Sequence, residues 1–507
     1  MTRFVAARNE IWKRGRSPVS PGDQMKVFAM NAAPPPAAGD FRQVMVGLGL
    51  AMLLSALDQT IVVTAMPTIG VELGDPQNLP SIVTAYLVAS TAVTPLYGKF
   101  ADVYGRRLVL MAGIGVFVAG SVLCALAPSV AALAVARFFQ GLGGGGLISL
   151  SQTIIADLVT PLERGRYQGY FAAVFATSSI AGPALGGFFA QYLSWSLIFW
   201  INLPLGLLAM LIVNARLKRL PIRRHPHRID YVGACLLMLA SGALVLALGW
   251  GGGRFPWSST PILSLLGGSA VFWALFAQRT RNFPEPLIPT RVLGLRVVRN
   301  ATLAGALGLG GFVGLSVVMP IYFETALGMS ARDSGLALIP MMIATVFGAF
   351  VSGRLMARLS SYRTTPVLGL GFGALAALLA ALTIDRLSYA GLSVLLSITN
   401  FGVGAMLPVA TVSVQNAVDP RDLGTATAST QFFRQLGAAA LVAVFGALAL
   451  AGGRGALLET GADAAGVVAA MNAGYRQVFV AVAVCMALAC LFLAIMEELP
   501  LRGQGRH

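Results

Sequence analysis

VMVGLGLAMLLSALDQTIVVTAM, residues 44–66, carries an acidic residue, Asp58, inside an otherwise apolar run. At about 1.5 Å of rise per residue, this run makes a helix of roughly 34 Å, enough to cross a bilayer core of about 30 Å. Asp58 then lies about 21 Å along the helix from Val44, at membrane depth. A carboxylate there costs on the order of 2.5–3.5 kcal/mol on insertion scales, so it must face a polar cavity or a cation. Two readings stand: a fixed ion pair that holds two helices together, and a carboxyl that gains and loses a proton as a pathway opens to either side.

The whole chain extends the pattern. Of 507 residues, 56% are hydrophobic and 11% charged, with mean hydropathy +0.76, whereas a soluble domain carries about 25% charged residues. Ala-rich windows and 58 glycines point to closely packed helices and not to alternating barrel strands. The fold class expected is an all-α integral membrane protein. The net charge of +16 does not imply nucleic acid, because the arginines cluster in short loops between apolar spans, where they set topology. Cys124, Cys235, Cys485 and Cys490 all sit in apolar segments without metal-ligand spacing, so they read as packing residues and no metal site is expected.

Apolar spans fall near 44–66, 80–98, 107–127, 131–152, 168–191, 195–214, 230–250, 261–278, 300–323, 334–355, 365–384, 388–411, 427–450 and 476–496, fourteen in all. The shortest, 261–278, is bounded by Pro261 and Arg279. Alternate loops are basic, with Lys99, Arg106 and Arg107 in one, Arg164 and Arg166 in the next, and a dense run from Arg216 to Arg228. The loops between them are nearly free of positive charge, which fits an even number of spans with both termini in the cytoplasm. The expected organisation is a basic, Pro-rich, disordered tail over 1–40, six helices over 41–214, a basic linker with two extra helices over 215–296, six helices over 297–498, and a short tail over 499–507. The first segment has no hydrophobic run of the signal-peptide kind, and Met25 and Met30 are alternative starts to Met1. GKFADVYGRR, from Gly98, returns 255 residues later as GRLMARLSSYR, from Gly353, with Ala357 where the first copy has Asp102. Parallel six-helix repeats with a pathway between them are a transporter architecture.

GKFADVYGRR (98–107) resembles the loop signature of the major facilitator superfamily. Further stretches are similar to its fourteen-helix drug/proton antiporter branch, the EmrB/QacA type: LDQTIVVTAMP (57–67), RFFQGLGGGG (137–146), GPALGG (182–187), WSLIFWINLPLG (195–206), MPIYFETALGMSARDSGLALIP (319–340) and QNAVDPRDLGTATASTQFFRQLG (415–437). The likeness runs from about residue 44 to 450 and implies two pseudo-symmetric six-helix bundles plus two linker helices. It implies a proton-coupled exporter of amphipathic, cationic compounds that works by alternating access, as a monomer, in a bacterial inner membrane. No cofactor beyond a proton gradient is expected. The partners expected are a small amphipathic substrate, protons and membrane lipid.

Residue roles follow from the same motifs. Gly98 and Gly105 permit a tight turn and close helix approach, and Asp102 can pair with Arg106, Arg107 or the positive end of a neighbouring helix. The resemblance implies that this cluster latches the two halves, while a plain topological anchor accounts for the same residues. Arg137 lies inside the fourth span, and an Arg at that depth must find a carboxylate, carbonyls or water. Asp58 and Arg137 are the candidate pair: the cation favours the carboxylate and apolar closure favours the neutral acid, so proton affinity would depend on conformation. Asp157 is a further candidate relay carboxyl. Gly182, Pro183, Gly186 and Gly187 let the fifth span bend and pack closely, in the stretch the family associates with antiport, although Ser178 stands where the family often has Gly. The candidate cavity comprises Asp58, Tyr86, Gln415, Asn416, Phe432, Arg434 and, at the outer mouth, Glu324. Glu324 would favour cationic substrates or simply sit solvated. An exporter of a lipid or cell-envelope precursor on the same fold is the alternative. An enzyme fits poorly, because His225, His227 and His507 all fall outside the spans and no nucleophile with a base lies within them.

Overall fold

The protein was analysed as a computed structural model that describes residues 38–75, 78–218, 229–252, 254–356, 358, 361–458 and 464–501. The tail over 1–37, the arginines 219–228 of the linker and residues 502–507 lie outside the described residues. Among the described residues, fourteen helices are long and apolar enough to cross a membrane. The chain is a multi-pass membrane protein of all-α architecture.

The first span, Phe41–Leu73, runs well past the apolar stretch that defines it. The second, Ser81–Tyr104, and the third, Arg106–Ala125, are separated by Gly105 alone. Gly105 has φ of 94°, a conformation that costs glycine little, so a single residue reverses the chain. Most of the expected loop signature is therefore helix, with Asp102 on its last turn. The fourth span, Val130–Leu158, breaks where four glycines follow one another, leaving helices Val130–Gly144 and Leu147–Leu158. Thr94 Oγ1 donates to the Gly145 carbonyl at 2.8 Å and Tyr97 Oη to that of Leu142 at 2.8 Å, so side chains of the second span satisfy carbonyls around the break. The fifth span, Glu163–Tyr192, and the sixth, Leu197–Leu217, complete the first half.

Two linker spans follow, Tyr231–Trp250 and Thr260–Asn282. The second is a full-length helix, longer than its apolar run because Arg279 and Arg281 form its last turn. Asp230 caps the first by accepting from Gly233 N at 2.9 Å, and ties it to the second through Arg279 at 3.1 Å. The second half comprises Arg296–Thr325, Asp333–Leu355, Thr364–Arg386, Tyr389–Ala417, Leu423–Ala449 and Val468–Ala494. The last helix begins at Ala464, twelve residues before the expected start at 476, because Ala and Val continue its helical turns.

The apolar cores divide along the sequence. One gathers Val44, Leu48, Phe117 and Val213, and another gathers Val298, Tyr322, Met406 and Phe479. A smaller cluster joins Leu96 of the second span and Phe432 of the thirteenth to Leu237 and Phe276 of the linker spans. Both described chain ends lie at the end of the molecule that carries Gly105. Phe41 packs edge-on against Tyr167 at 5.1 Å, and Glu498 accepts from the backbone of Tyr362 at 2.6 Å. This end is called the basic end below.

The two halves meet near the basic end. A Cβ on Gly98 would come within 2.6 Å of both the Gly424 carbonyl oxygen and Ala428 Cβ, and one on Gly165 within 2.9 Å of the Gly353 carbonyl oxygen. These glycines let backbones touch where any side chain would hold them apart. Replacing Gly98 with Ala should lower the thermal denaturation midpoint of the purified protein by the equivalent of about 1–3 kcal/mol of overpacking. Gly187, whose added Cβ would meet open space, should tolerate Ala with little change in the same measurement.

Candidate functional site: a buried ion pair and an interhelical latch

Asp58 is fully buried, as is Arg137. Arg137 Nη1 donates to Asp58 Oδ2 at 2.5 Å and also to Gln140 Oε1 at 2.6 Å. Gln140 Nε2 donates to Asp58 Oδ1 at 2.7 Å and to Ser121 Oγ at 2.8 Å. Asn202 Nδ2 reaches the same two acceptors at 3.3 and 3.2 Å. Tyr86 lies under the guanidinium, its ring centroid 4.2 Å from Arg137 Cζ, and its hydroxyl meets Ser55 Oγ at 3.2 Å. Five spans, the first, second, third, fourth and sixth, thus share one network around the carboxylate, which itself accepts from the fourth and the sixth.

The sequence explains the convergence. Arg137 and Gln140 are three residues apart and share a helix face. A Cβ on Gly120 would collide with the Gln140 backbone at 2.5 Å, so glycine lets the third span approach the fourth closely enough for Ser121 to join. The carboxylate accepts from three donors, Arg137, Gln140 and Asn202, so its position and that of the guanidinium depend on one shared network. Gln140, Ser121 and Asn202 were not singled out from sequence. The available signal was an amide or hydroxyl inside an apolar span, and Gln140 and Asn202 fall within two of the quoted motifs.

A second cluster lies at the basic end. Asp102 is buried and accepts from Thr425 N at 3.0 Å and Thr425 Oγ1 at 2.7 Å, at the start of the thirteenth span. A carboxylate on a helix N-terminus is favoured by the exposed N–H groups and the helix dipole. Arg106 bonds Asp102 from one side and donates through Nε to Asp157 Oδ2 at 3.1 Å. Arg107 turns away and bonds Asn214 of the sixth span. Asp102 thus makes a contact across the two halves, with backbone and hydroxyl of Thr425.

The Major Facilitator Superfamily profile matches residues 48–442. The chain belongs to the Major Facilitator Superfamily. It is 35% identical over 403 residues to multidrug resistance protein 3 of Bacillus subtilis, covering 80% of this chain and 78% of that protein. It is 36% identical over 407 residues to an uncharacterized MFS-type transporter of Mycobacterium tuberculosis (strain H37Rv), of whose length it spans 59% against 80% of its own. Among solved structures, the proton:xylose symporter XylE aligns with TM-score 0.60 and 17% identity over 91% of this chain and 97% of that one. A bacterial homologue of the iron transporter ferroportin, in an outward-facing state, aligns with TM-score 0.62 and 12% identity over 89% and 98%. These two likenesses concern the fold alone.

Within this superfamily chain the remaining expected site residues separate. Asp157, expected as a proton relay, lies twenty residues beyond Arg137 on the same span and belongs to the Arg106 cluster at the basic end, apart from Asp58. Gly182 and Gly186 face the first span at Thr60, Ile61 and Thr64, one and two turns beyond Asp58, and Thr60 Oγ1 donates to the Ser178 carbonyl at 2.9 Å. Pro183 sits inside that helix, and Gly187 faces open space.

The expected cavity residues do not form one chamber. Tyr86 belongs to the Asp58 network, and Phe432 packs on Phe433 and on Trp273 of the second linker span. Gln415 Nε2 approaches Thr427 Oγ1 at 3.5 Å, and Asn416 Nδ2 donates to the Pro500 carbonyl at 3.1 Å, tying the chain end to the twelfth span. Glu324 is exposed at the opposite end and accepts from Ser334 Oγ at 2.7 Å. Arg434 is buried.

Removing one member of a buried pair strands the other. Asp58→Asn and Arg137→Gln should each destabilise the purified protein by about 3–5 kcal/mol, read from denaturation midpoints. The double substitution should cost less than the sum of the two by about 0.5–3 kcal/mol. Strict additivity would show that the two side chains do not depend on each other.

Proposed function

We propose that the chain is a proton-coupled secondary active transporter that exports amphipathic compounds by alternating access between its two six-helix halves. The observation that carries this reading is Asp58 with its guanidinium partner, buried at membrane depth among five spans. Such a pair is costly unless it does something that a well-packed apolar pair could not. Proton arrival at Asp58 releases Arg137, and release rearranges five helices of one half. The Asp102 contact with Thr425 is the element that such a rearrangement would break or restore.

Export is the direction supported by relatives. One is called a multidrug resistance protein and another the multidrug transporter protein MdtP, both of Bacillus subtilis. Asp58 and the exposed Glu324 support a preference for cationic amphiphiles. The basic end faces the cytoplasm in this proposal, with both termini there, in a bacterial inner membrane, and the working unit is a monomer with no cofactor other than the proton gradient.

A second reading, export of a lipid or cell-envelope precursor, is favoured by one feature. An apolar cavity of about 420 Å³ lies between the second, fourth and first linker spans, lined by Thr84, Val135, Phe138, Phe139, Leu246 and Trp250. Val135, Phe138 and Phe139 are exposed side chains of its wall.

In proteoliposomes, an imposed pH gradient should drive wild-type movement of ethidium against its concentration gradient. Asp58→Glu should retain part of that rate, and Asp58→Asn should reduce it to the level of empty vesicles. Gradient-driven transport at the wild-type rate by Asp58→Asn would overturn the proton role. Gradient-dependent movement of a fluorescent lipid, with none of ethidium, would establish the second reading in place of the first.

A further inference from the structure

Among the described residues, the buried charges well inside a span are Asp58, Arg137 and Arg434. The first two neutralise each other. Arg434 has no such partner. It lies eleven residues into the thirteenth span, roughly 16 Å from the basic end at helical rise. The acidic residues near it in sequence or across the second half sit at the span ends, Asp419, Asp422 and Glu498 at one and Glu324, Asp333 and Asp385 at the other. Arginine does not escape its charge by losing a proton, and a buried, uncompensated guanidinium is among the least favourable groups a protein can hold.

The hydrogen bonds around Arg434 are one-sided. Nη1 donates to Thr411 Oγ1 of the twelfth span at 3.1 Å, while Nε and Nη2 are buried and have no hydrogen-bond partner among the described residues. Nε and Nη2 form the side edge of the guanidinium, where two parallel N–H groups match the two oxygens of a carboxylate. Thr430, one helical turn before Arg434, meets Thr302 of the first span of the second half at 3.4 Å, placing two further hydroxyls beside the cation. Gly305, on the same helix as Thr302, faces the free edge: a Cβ there would stand 2.5 Å from Arg434 Nε. With glycine at 305, that helix packs close against the Arg434 side chain and sets no side chain against Nε.

We propose that Arg434, with Thr411, Thr302 and Thr430, is a binding site for a carboxylate group, held side-on by Nε and Nη2. The carboxylate belongs either to a small organic acid bound alongside the cargo or to the cargo itself, which is then a zwitterion or an organic acid. The site is separate from the Asp58 pair and does not require that the proton role of Asp58 be correct.

The test uses the full-length protein purified in detergent, with benzoate as the probe and benzamide, its neutral isostere, as the control at matched ionic strength. Benzoate should raise the thermal midpoint of the wild type saturably, by about 2–4 °C near saturation, and benzamide should not. Arg434→Gln should abolish the benzoate shift. Thr411→Val and Gly305→Ala, which keep the charge, should raise the benzoate concentration needed for half the shift several-fold, and they carry the test if Arg434→Gln does not fold. Equal shifts with benzoate and benzamide in the wild type, or an undiminished benzoate shift in Arg434→Gln, or in both charge-keeping variants, would overturn the site. In vesicles, export of a zwitterionic amphiphile but not of its methyl ester assigns the carboxylate to the cargo. Stimulation of ethidium export by added benzoate assigns it to a separate acid.

Discussion

A single charge pair in a medium that cannot solvate it sets most of the constraints on this molecule. Asp58 and Arg137 neutralise each other, but neutrality alone leaves lone pairs and N–H groups unsatisfied in the interior. Gln140 and Asn202 donate to the carboxylate, Gln140 also accepts from Arg137, and Ser121 accepts from both amides, so three further spans are drawn to the pair. The third, fourth and sixth spans must therefore approach the first closely and in one register. The glycines of this half follow from that demand, because a helix that carries polar groups inward can only reach them across a partner without a side chain in the way. Gly120 against Gln140 and Gly141 against Tyr86 are two such places.

The two halves share a helical plan and differ in where they place charge. Met66 and Pro67 recur as Met319 and Pro320, an alignment that sets Asp58 against Gly311. Arg137–Phe138 likewise recurs as Asn400–Phe401. A Cβ on Gly311 would stand 2.6 Å from Met486 Cε, and Asn400 Nδ2 donates to the Leu396 carbonyl of its own helix at 2.8 Å. The second half thus replaces an ion pair with packing at the equivalent depth, and carries its own buried cation on a different helix at Arg434. Two similar bundles thus differ in charge, with the buried acid and its cation in one and a buried cation without a carboxylate partner among the described residues in the other.

The contact between the halves at the basic end is small. Asp102 holds Thr425 by two hydrogen bonds at a helix N-terminus, and Gly98 lets the backbones meet. Arg106 orients the carboxylate from its own side, while Asp157 pairs with Arg106. A hydrogen bond to a charged group is worth about 1.5–3 kcal/mol, so this contact is modest beside the apolar packing of either half.

The sequence by itself determined the membrane class, the helix count and the depth of Asp58 and Arg137, because apolar run length and the cost of a buried charge are local properties. It also pointed to Asp102 and Gly105, whose chemistry is legible in a ten-residue motif. It extended too short a set of helices, since polar residues such as Arg279 and Asp102 continue a helix beyond its apolar stretch without an apolar signal. Only the tertiary structure decided which polar side chains share a site. It drew Gln140 and Asn202 to Asp58, paired Asp157 with Arg106, scattered Tyr86, Gln415, Asn416 and Phe432 over separate contacts, and left one edge of Arg434 without a partner among the described residues. Those outcomes depend on which faces of distant helices meet, and helix-to-helix register is fixed by packing across hundreds of residues, not by the spacing within any one span.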